Sequence, residues 1–167
     1  QPSPTSVPGT RKWIAFGVAS LGMLISTLDG TIVLFSFPAL ATTFQADASI
    51  VSWVGIAYLL TSTSLLLTMG WVADFLGRER TYLLGILVFT VPLVFESLAQ
   101  NIFQIIAWRA VQGIGSAMIL ATAAAIIAAA FPQRERGFAF GLTGAVVGIG
   151  LGSGPPLGGV LLDFLDW

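Results

Sequence analysis

Apolar residues run along this chain in long blocks separated by short polar or charged punctuation. The blocks are too long, and alternate too little, for barrel strands; they read as helices. A helix needs about 20 apolar residues to cross roughly 30 Å of hydrocarbon, and on that measure the pattern predicts spans at 13–37, 50–73, 81–99, 102–131 and 137–162. The first holds one charge, Asp29, and the second and fifth hold none. The third has Pro92 inside and Glu96 near its far end, and the fourth contains Arg109. Before them, residues 1–12 open with QPSPTSVPGT and close on Arg11 and Lys12; this Pro, Ser and Thr-rich stretch is expected to be a disordered tail. The basic pair and apolar run have the layout of a signal peptide, but the run is too long for one and no small-residue cleavage site follows.

Composition agrees with an all-α, multi-pass membrane protein. Hydrophobic residues make up 56% and charged residues 9%, against about 45–50% and about 25% in soluble domains. With no Cys and no His, disulfides, thiolate nucleophiles, the usual zinc sites and His acid/base chemistry are excluded, so no metal site is expected. A net charge of −1 without a basic tract argues against a nucleic-acid partner. A membrane-embedded enzyme would need several reactive groups at one depth, and Asp29 with Arg109 alone comes near that; the expectation is not an enzyme. The position of the charges carries more than their sum. Arg11, Lys12, Arg78, Arg80, Arg134 and Arg136 fall on one side of a five-span topology, while the opposite loops, PALATTFQADAS and SLAQN, carry no basic residue. Lys and Arg are retained on the cytoplasmic side, which predicts a cytoplasmic amino terminus in a plasma or inner membrane. Trp13, Trp53, Trp71 and Trp167 fall near span ends, where interfacial aromatics belong.

The turn after the second span, GWVADFLGRER (70–80), concentrates glycines and charges where two helices meet water. Its Gly70, Asp74, Gly77, Arg78 and Arg80 resemble the loop motif G-x-x-x-D-x-x-G-R-[KR]-[KR] of the major facilitator superfamily, with departures at Phe75 and Glu79. Glycine permits a tight turn, and the resemblance implies that this turn gates the cytoplasmic side, a carboxylate and a guanidinium pairing and parting as the carrier rocks. WRAVQGIG places Arg109, Gln112 and Gly113 in register with the superfamily's fourth-helix motif R-x-x-Q-G. GLGSGPPLGG is similar to G-x-x-x-G-P-x-x-G-G, the mark of its antiporters, at Gly150, Gly154, Pro155, Gly158 and Gly159. Four-residue glycine spacing lets helix backbones touch, and Gly144, Gly148 and Gly152 are expected to continue that packing row. LDGTIVLFSFP resembles the first-helix motif of fourteen-helix drug:proton antiporters at Leu28, Asp29, Thr31, Ile32, Val33 and Pro38, with Leu34 in place of the usual Asn and Ser36 in place of Ala.

The resemblance implies five transmembrane helices of a six-helix half, from a carrier that exchanges protons for small, hydrophobic or drug-like molecules by alternating access. Its partners would be the lipid bilayer, a small-molecule substrate and the proton; the proton gradient is the energy source and no cofactor is implied. A substrate:proton symporter of the same superfamily and a non-transporting packing or channel subunit are the alternatives. Carriers of this kind pair two six-helix halves, so the chain, which stops at LLDFLDW after its fifth span, is expected to be an amino-terminal piece without its carboxy-terminal half. At about 1.5 Å per residue, Asp29 lies roughly 12 Å and Arg109 roughly 10 Å below the outer ends of their helices. The depths match, and the resemblance implies that the first and fourth helices both line a central cavity, so an ion pair or water-bridged contact between the two, with a proton-coupling role for both, is expected.

Overall fold

The computed structural model describes residues 9–164. These form α1 (Gly9–Thr43), α2 (Ala48–Leu76), α3 (Arg78–Glu96), α4 (Ile102–Ala130) and α5 (Arg136–Phe164), with no strand among the described residues. The chain is therefore all-helical, as its blocks of apolar residues require: in hydrocarbon every backbone N–H and C=O must find its partner within the segment.

The helix ends differ from the expected ones in instructive ways. Residues 9–12, assigned to a disordered tail, belong to the first turn of α1; residues 1–8 lie outside the described residues, as does Trp167. α1 also runs past Phe37 and through Pro38 to Thr43. Proline at 38 removes one helical hydrogen bond, and beyond it the Thr42 hydroxyl adds bonds to the carbonyls of Pro38, at 3.2 Å, and Ala39, at 2.9 Å. α3 stops at Glu96 rather than at 99, and the Ser97 N–H closes it on the Leu93 carbonyl at 3.3 Å. Among the described residues, four helices are long and apolar enough to cross a membrane. α3, at 19 residues with charges in its first turn, is not among them. α4 starts where expected because Asn101 caps it, its side chain accepting from the Gln104 N–H at 3.0 Å, while the Gln104 side chain accepts from the Gln100 N–H at 2.8 Å.

α4 is the central helix: half of its apolar window is buried, against 22–28% for the other three spans. It packs on α2 and α3 and, less closely, on α1, which in turn carries α5. Glycine makes these approaches possible. A Cβ at Gly113 would meet the backbone of Tyr58 and Ser62 on α2, and one at Gly115 would strike the Phe89 backbone on α3. Outward-facing side chains are apolar and exposed, among them Leu67, Trp71 and Phe75 at 88, 71 and 80%. Such a surface suits lipid rather than water.

Along the helices the interior divides into layers. Leu40, Val51, Val54, Ile102 and Ile105 form one apolar cluster, and Phe16, Tyr82, Phe89, Ile119, Ile127 and Phe131 belong to a second. Between them in the order of α1 and α4 come Asp29 and Ser26, and Arg109, Gln112 and Ser116, while Tyr58 of α2 belongs to the second cluster. At the far end of the second cluster the edge-on rings of Trp13, Phe16 and Phe131 and the Lys12–Glu135 ion pair, at 2.5 Å, tie the start of α1 to the α4–α5 turn.

Candidate functional site

Arg109 is the largest fully buried side chain among the described residues and is 1% exposed. Its Nη1 donates to Asp29 Oδ2 of α1 at 2.8 Å and to Gln112 Oε1, one helical turn further along α4. The Tyr58 ring of α2 lies against the guanidinium, 4.6 Å from its carbon to the ring centroid. Three helices thus converge on one cation, through a carboxylate, an amide and an aromatic face. That is the arrangement a charge needs where no bulk water reaches it. The i, i+3 spacing of Arg109 and Gln112 puts both on one face of α4, and Ser116, a further four residues along, continues it.

Below the ion pair sits a hydroxyl cluster. Ser26 Oγ lies 2.6 Å from Ser116 Oγ, and the Tyr58 hydroxyl is 2.9 Å from each of them. Thr31 spends its hydroxyl on the Thr27 and Leu28 carbonyls, at 3.0 and 2.9 Å. Ser26, Thr31, Tyr58, Arg109 and Ser116 line a cavity of about 330 Å³ whose remaining wall is largely apolar; Leu34, which stands where the resembling motif has Asn, is part of that wall. Arg109 Nε and Nη2 and Gln112 Nε2 are buried with no hydrogen-bond partner among the described residues. Ser26, Tyr58 and Ser116 were not singled out from sequence, although polar residues inside otherwise apolar spans are the signal that marks them.

The glycine-proline motif of α5 packs on α1. Added Cβ atoms at Gly150, Gly154 and Gly158 would meet Thr27, Thr31 and Phe35 in turn, a four-residue row against a four-residue row. Gly159 has open space around it, and the helix continues through Pro155 and Pro156. Gly144, Gly148 and Gly152 do not continue the row: nothing lies within 4 Å of a Cβ at any of them. Two residues of offset from Gly150 is about 200° of helix rotation at 3.6 residues per turn, which turns them to the opposite face.

At the other end of the bundle, Gly77 alone separates α2 from α3, at φ +96°, a conformation glycine adopts without Cβ strain. Asp74 Oδ1 accepts from Arg78 Nη2 at 3.3 Å, and Arg78 Nη1 reaches the Ala125 carbonyl of α4 at 3.1 Å. This turn is therefore fastened to the central helix by Arg78. Gly70 faces open space and Arg80 is exposed.

Residues 19–167 match the family model of the Major Facilitator Superfamily. The chain belongs to that superfamily. It is thus a member of a multi-pass membrane transporter family and not of an enzyme family. It is 39% identical over 157 residues to the riboflavin transporter RibZ of Clostridioides difficile, covering 94% of this chain and 34% of that protein. It is 36% identical over 151 residues to the methylenomycin A resistance protein of Bacillus subtilis (90% and 32%) and 34% identical over 147 residues to the multidrug transporter protein MdtP of the same species (88% and 27%). The chain spans about a third of the length of these relatives or less.

Proposed function

We propose that this major facilitator chain forms the amino-terminal helices of a proton-coupled antiporter that exports small, largely apolar molecules by alternating access, with its amino terminus in the cytoplasm of a cell whose plasma or inner membrane it spans. The observation that carries this reading is the buried Asp29–Arg109 pair beside a mostly apolar cavity at the junction of α1, α2 and α4. A carboxylate in that position binds a proton only by giving up its salt bridge. Protonation of Asp29 frees Arg109, whose unpaired Nε and Nη2 then compete for acceptors, and the α1–α4 contact loosens. Proton and substrate compete for one centre, which is the condition for exchange. An inward potential adds about 2.3 kcal/mol per charge per 100 mV to the inward step. Resistance and multidrug names among the relatives support export of small molecules. The Asp74–Arg78 turn, fastened to α4, serves as the inner latch, and the row from Gly150 to Gly158 lets α1 and α5 move as one body.

The test is transport in membrane vesicles under an imposed pH gradient, with riboflavin and a fluorescent hydrophobic dye as probes, using the full-length protein that carries this sequence. Asp29→Asn keeps the size and loses the charge; uphill movement of the probe should stop while exchange down its gradient continues. An Asp29→Asn carrier that still concentrates probe at the wild-type rate would place coupling elsewhere. Uptake rather than efflux, driven by the same gradient, would favour a symporter, a reading to which the name of the riboflavin-transporting relative lends support.

A further inference from the structure

Glu96 ends α3 with a partly buried carboxyl whose Oε1 has no hydrogen-bond partner. Its chain neighbour Phe95 stacks on Trp108 of α4, centroids 4.6 Å apart and planes 14° from parallel. That stack sets Phe95 level with Trp108; because α3 and α4 run antiparallel, Glu96 and Arg109, each the next residue of its own helix, step to opposite sides of that level and lie about two helical rises, roughly 3 Å, apart along the bundle. Arg109 of α4 and Asp29 of α1 are the charged groups whose fields reach Glu96. α2 contributes the Tyr58 phenol, placed against the guanidinium. The other charges of α3, on Arg78, Glu79 and Arg80, stand at its opposite end, about 24 Å or more away along the helix. Arg109 meanwhile uses Nη1 on Asp29 and Gln112, leaving Nε and Nη2 without partners among the described residues. The residues that carry an unpaired acceptor and two unpaired donors thus lie within roughly 3 Å of each other in depth.

We propose that Glu96 is a second carboxylate of the Arg109 centre, taking the Nε–Nη2 edge of the guanidinium whenever Asp29 is protonated or displaced by substrate. One guanidinium balances one carboxylate. Two ionised carboxylates beside it would leave a net negative charge in hydrocarbon, so one proton is held between them. With Asp29 ionised, Glu96 carries that proton. When Arg109 swings across, the O–H bond at Glu96 breaks with its electron pair kept on the Glu96 oxygen, and the proton forms an O–H bond on Asp29. Arg109 is then never without a partner: Asp29 receives its proton by way of Glu96, and after Asp29 releases that proton and pairs with Arg109 again, a proton from the gradient re-forms the O–H bond at Glu96. The inference rests on the coupling role proposed for Asp29 and Arg109.

Infrared spectroscopy of the purified full-length protein at neutral pH reads the charge states directly, without a transported probe. Subtracting the Glu96→Gln spectrum from the wild-type spectrum should reveal the C=O band of one protonated carboxylic acid. In an Asp29→Asn background the same subtraction should lose that band completely, because Glu96 ionises opposite Arg109. Should Glu96→Gln not fold, Glu96→Asp serves instead, shifting the band rather than deleting it. No protonated band in wild type, or a band that persists with Asn at 29, overturns the proposal. Failure here with probe transport still abolished in Asp29→Asn would leave the coupling role of Asp29 standing, and transport unaffected by Asp29→Asn together with the expected bands would remove only that role.

Discussion

Removing the Asp29 carboxylate measures how strongly α1 is held to α4. At the 2.8 Å separation of Arg109 Nη1 and Asp29 Oδ2, Coulomb attraction is about 6 kcal/mol at an effective dielectric constant near 20. Most of that attraction offsets the desolvation of the two groups. The partners differ in what remains after truncation: the Asp29 side chain is 13% exposed, whereas that of Arg109 is 1% exposed and stays buried without its native partner. Breaking a buried pair from one side typically costs about 3–5 kcal/mol. The Tyr58 ring retains about 1–2 kcal/mol of cation–π attraction for the guanidinium, and Glu96, on the proposal above, ionises against it in place of Asp29; both point to the lower end, near 3 kcal/mol, for Asp29→Ala. Arg109→Met in the same chain should restore most of the loss, since an apolar side chain leaves no buried charge. The assay is equilibrium unfolding in mixed detergent micelles, read by tryptophan fluorescence and helical circular dichroism, over the full double-mutant cycle. A coupling energy above about 2 kcal/mol is expected. Additivity within about 0.5 kcal/mol, or an Asp29→Ala protein as stable as wild type, would refute the reasoning and leave the pair without a structural role.

Gly154→Val should destabilise the protein by about 1–3 kcal/mol through overpacking against Thr31, whereas Gly152→Val, on the open face, should stay within about 0.5 kcal/mol of wild type; the same unfolding assay separates them, and equal effects would deny the α1–α5 seam. Asp74→Asn removes a largely exposed ion pair worth about 0–1 kcal/mol, so unfolding should scarcely change while vesicle transport slows; unchanged transport would reduce the turn to a topological marker. Single cysteines at Glu79 or Glu135 should resist impermeant thiol reagents in intact cells and one at Asp47 should react, because every basic residue but Arg109 lies on the first side; the reverse pattern would invert the proposed orientation.

What the sequence determined by itself is local. Apolar block length and helix rise were enough to place five helices and to put Asp29 and Arg109 at one depth, since the rise of 1.5 Å per residue holds whatever the neighbours are. The motif at 150–159 was equally legible, because four-residue glycine spacing describes one face of one helix. Its extension to Gly144, Gly148 and Gly152 failed for the same reason: an offset of two residues crosses to the far face, and only the position of α1 shows which face is used. Helix ends followed tertiary surroundings as well. α3 stops at Glu96, short of the end of its apolar pattern, where the Ser97 N–H closes on the Leu93 carbonyl and Phe95 stacks on Trp108 of α4. That stack brings Glu96, read from sequence as lying near the far end of the third span, to within roughly 3 Å of Arg109 in depth. The hydroxyl cluster of Ser26, Tyr58 and Ser116 joins residues 32 to 90 positions apart, and the unpaired edge of Arg109 is a property of what surrounds it rather than of arginine. Periodicity states the direction in which a side chain points; only the packed bundle decides which side chains from other helices meet it there, because a buried polar group takes its energy from partners that are distant in sequence.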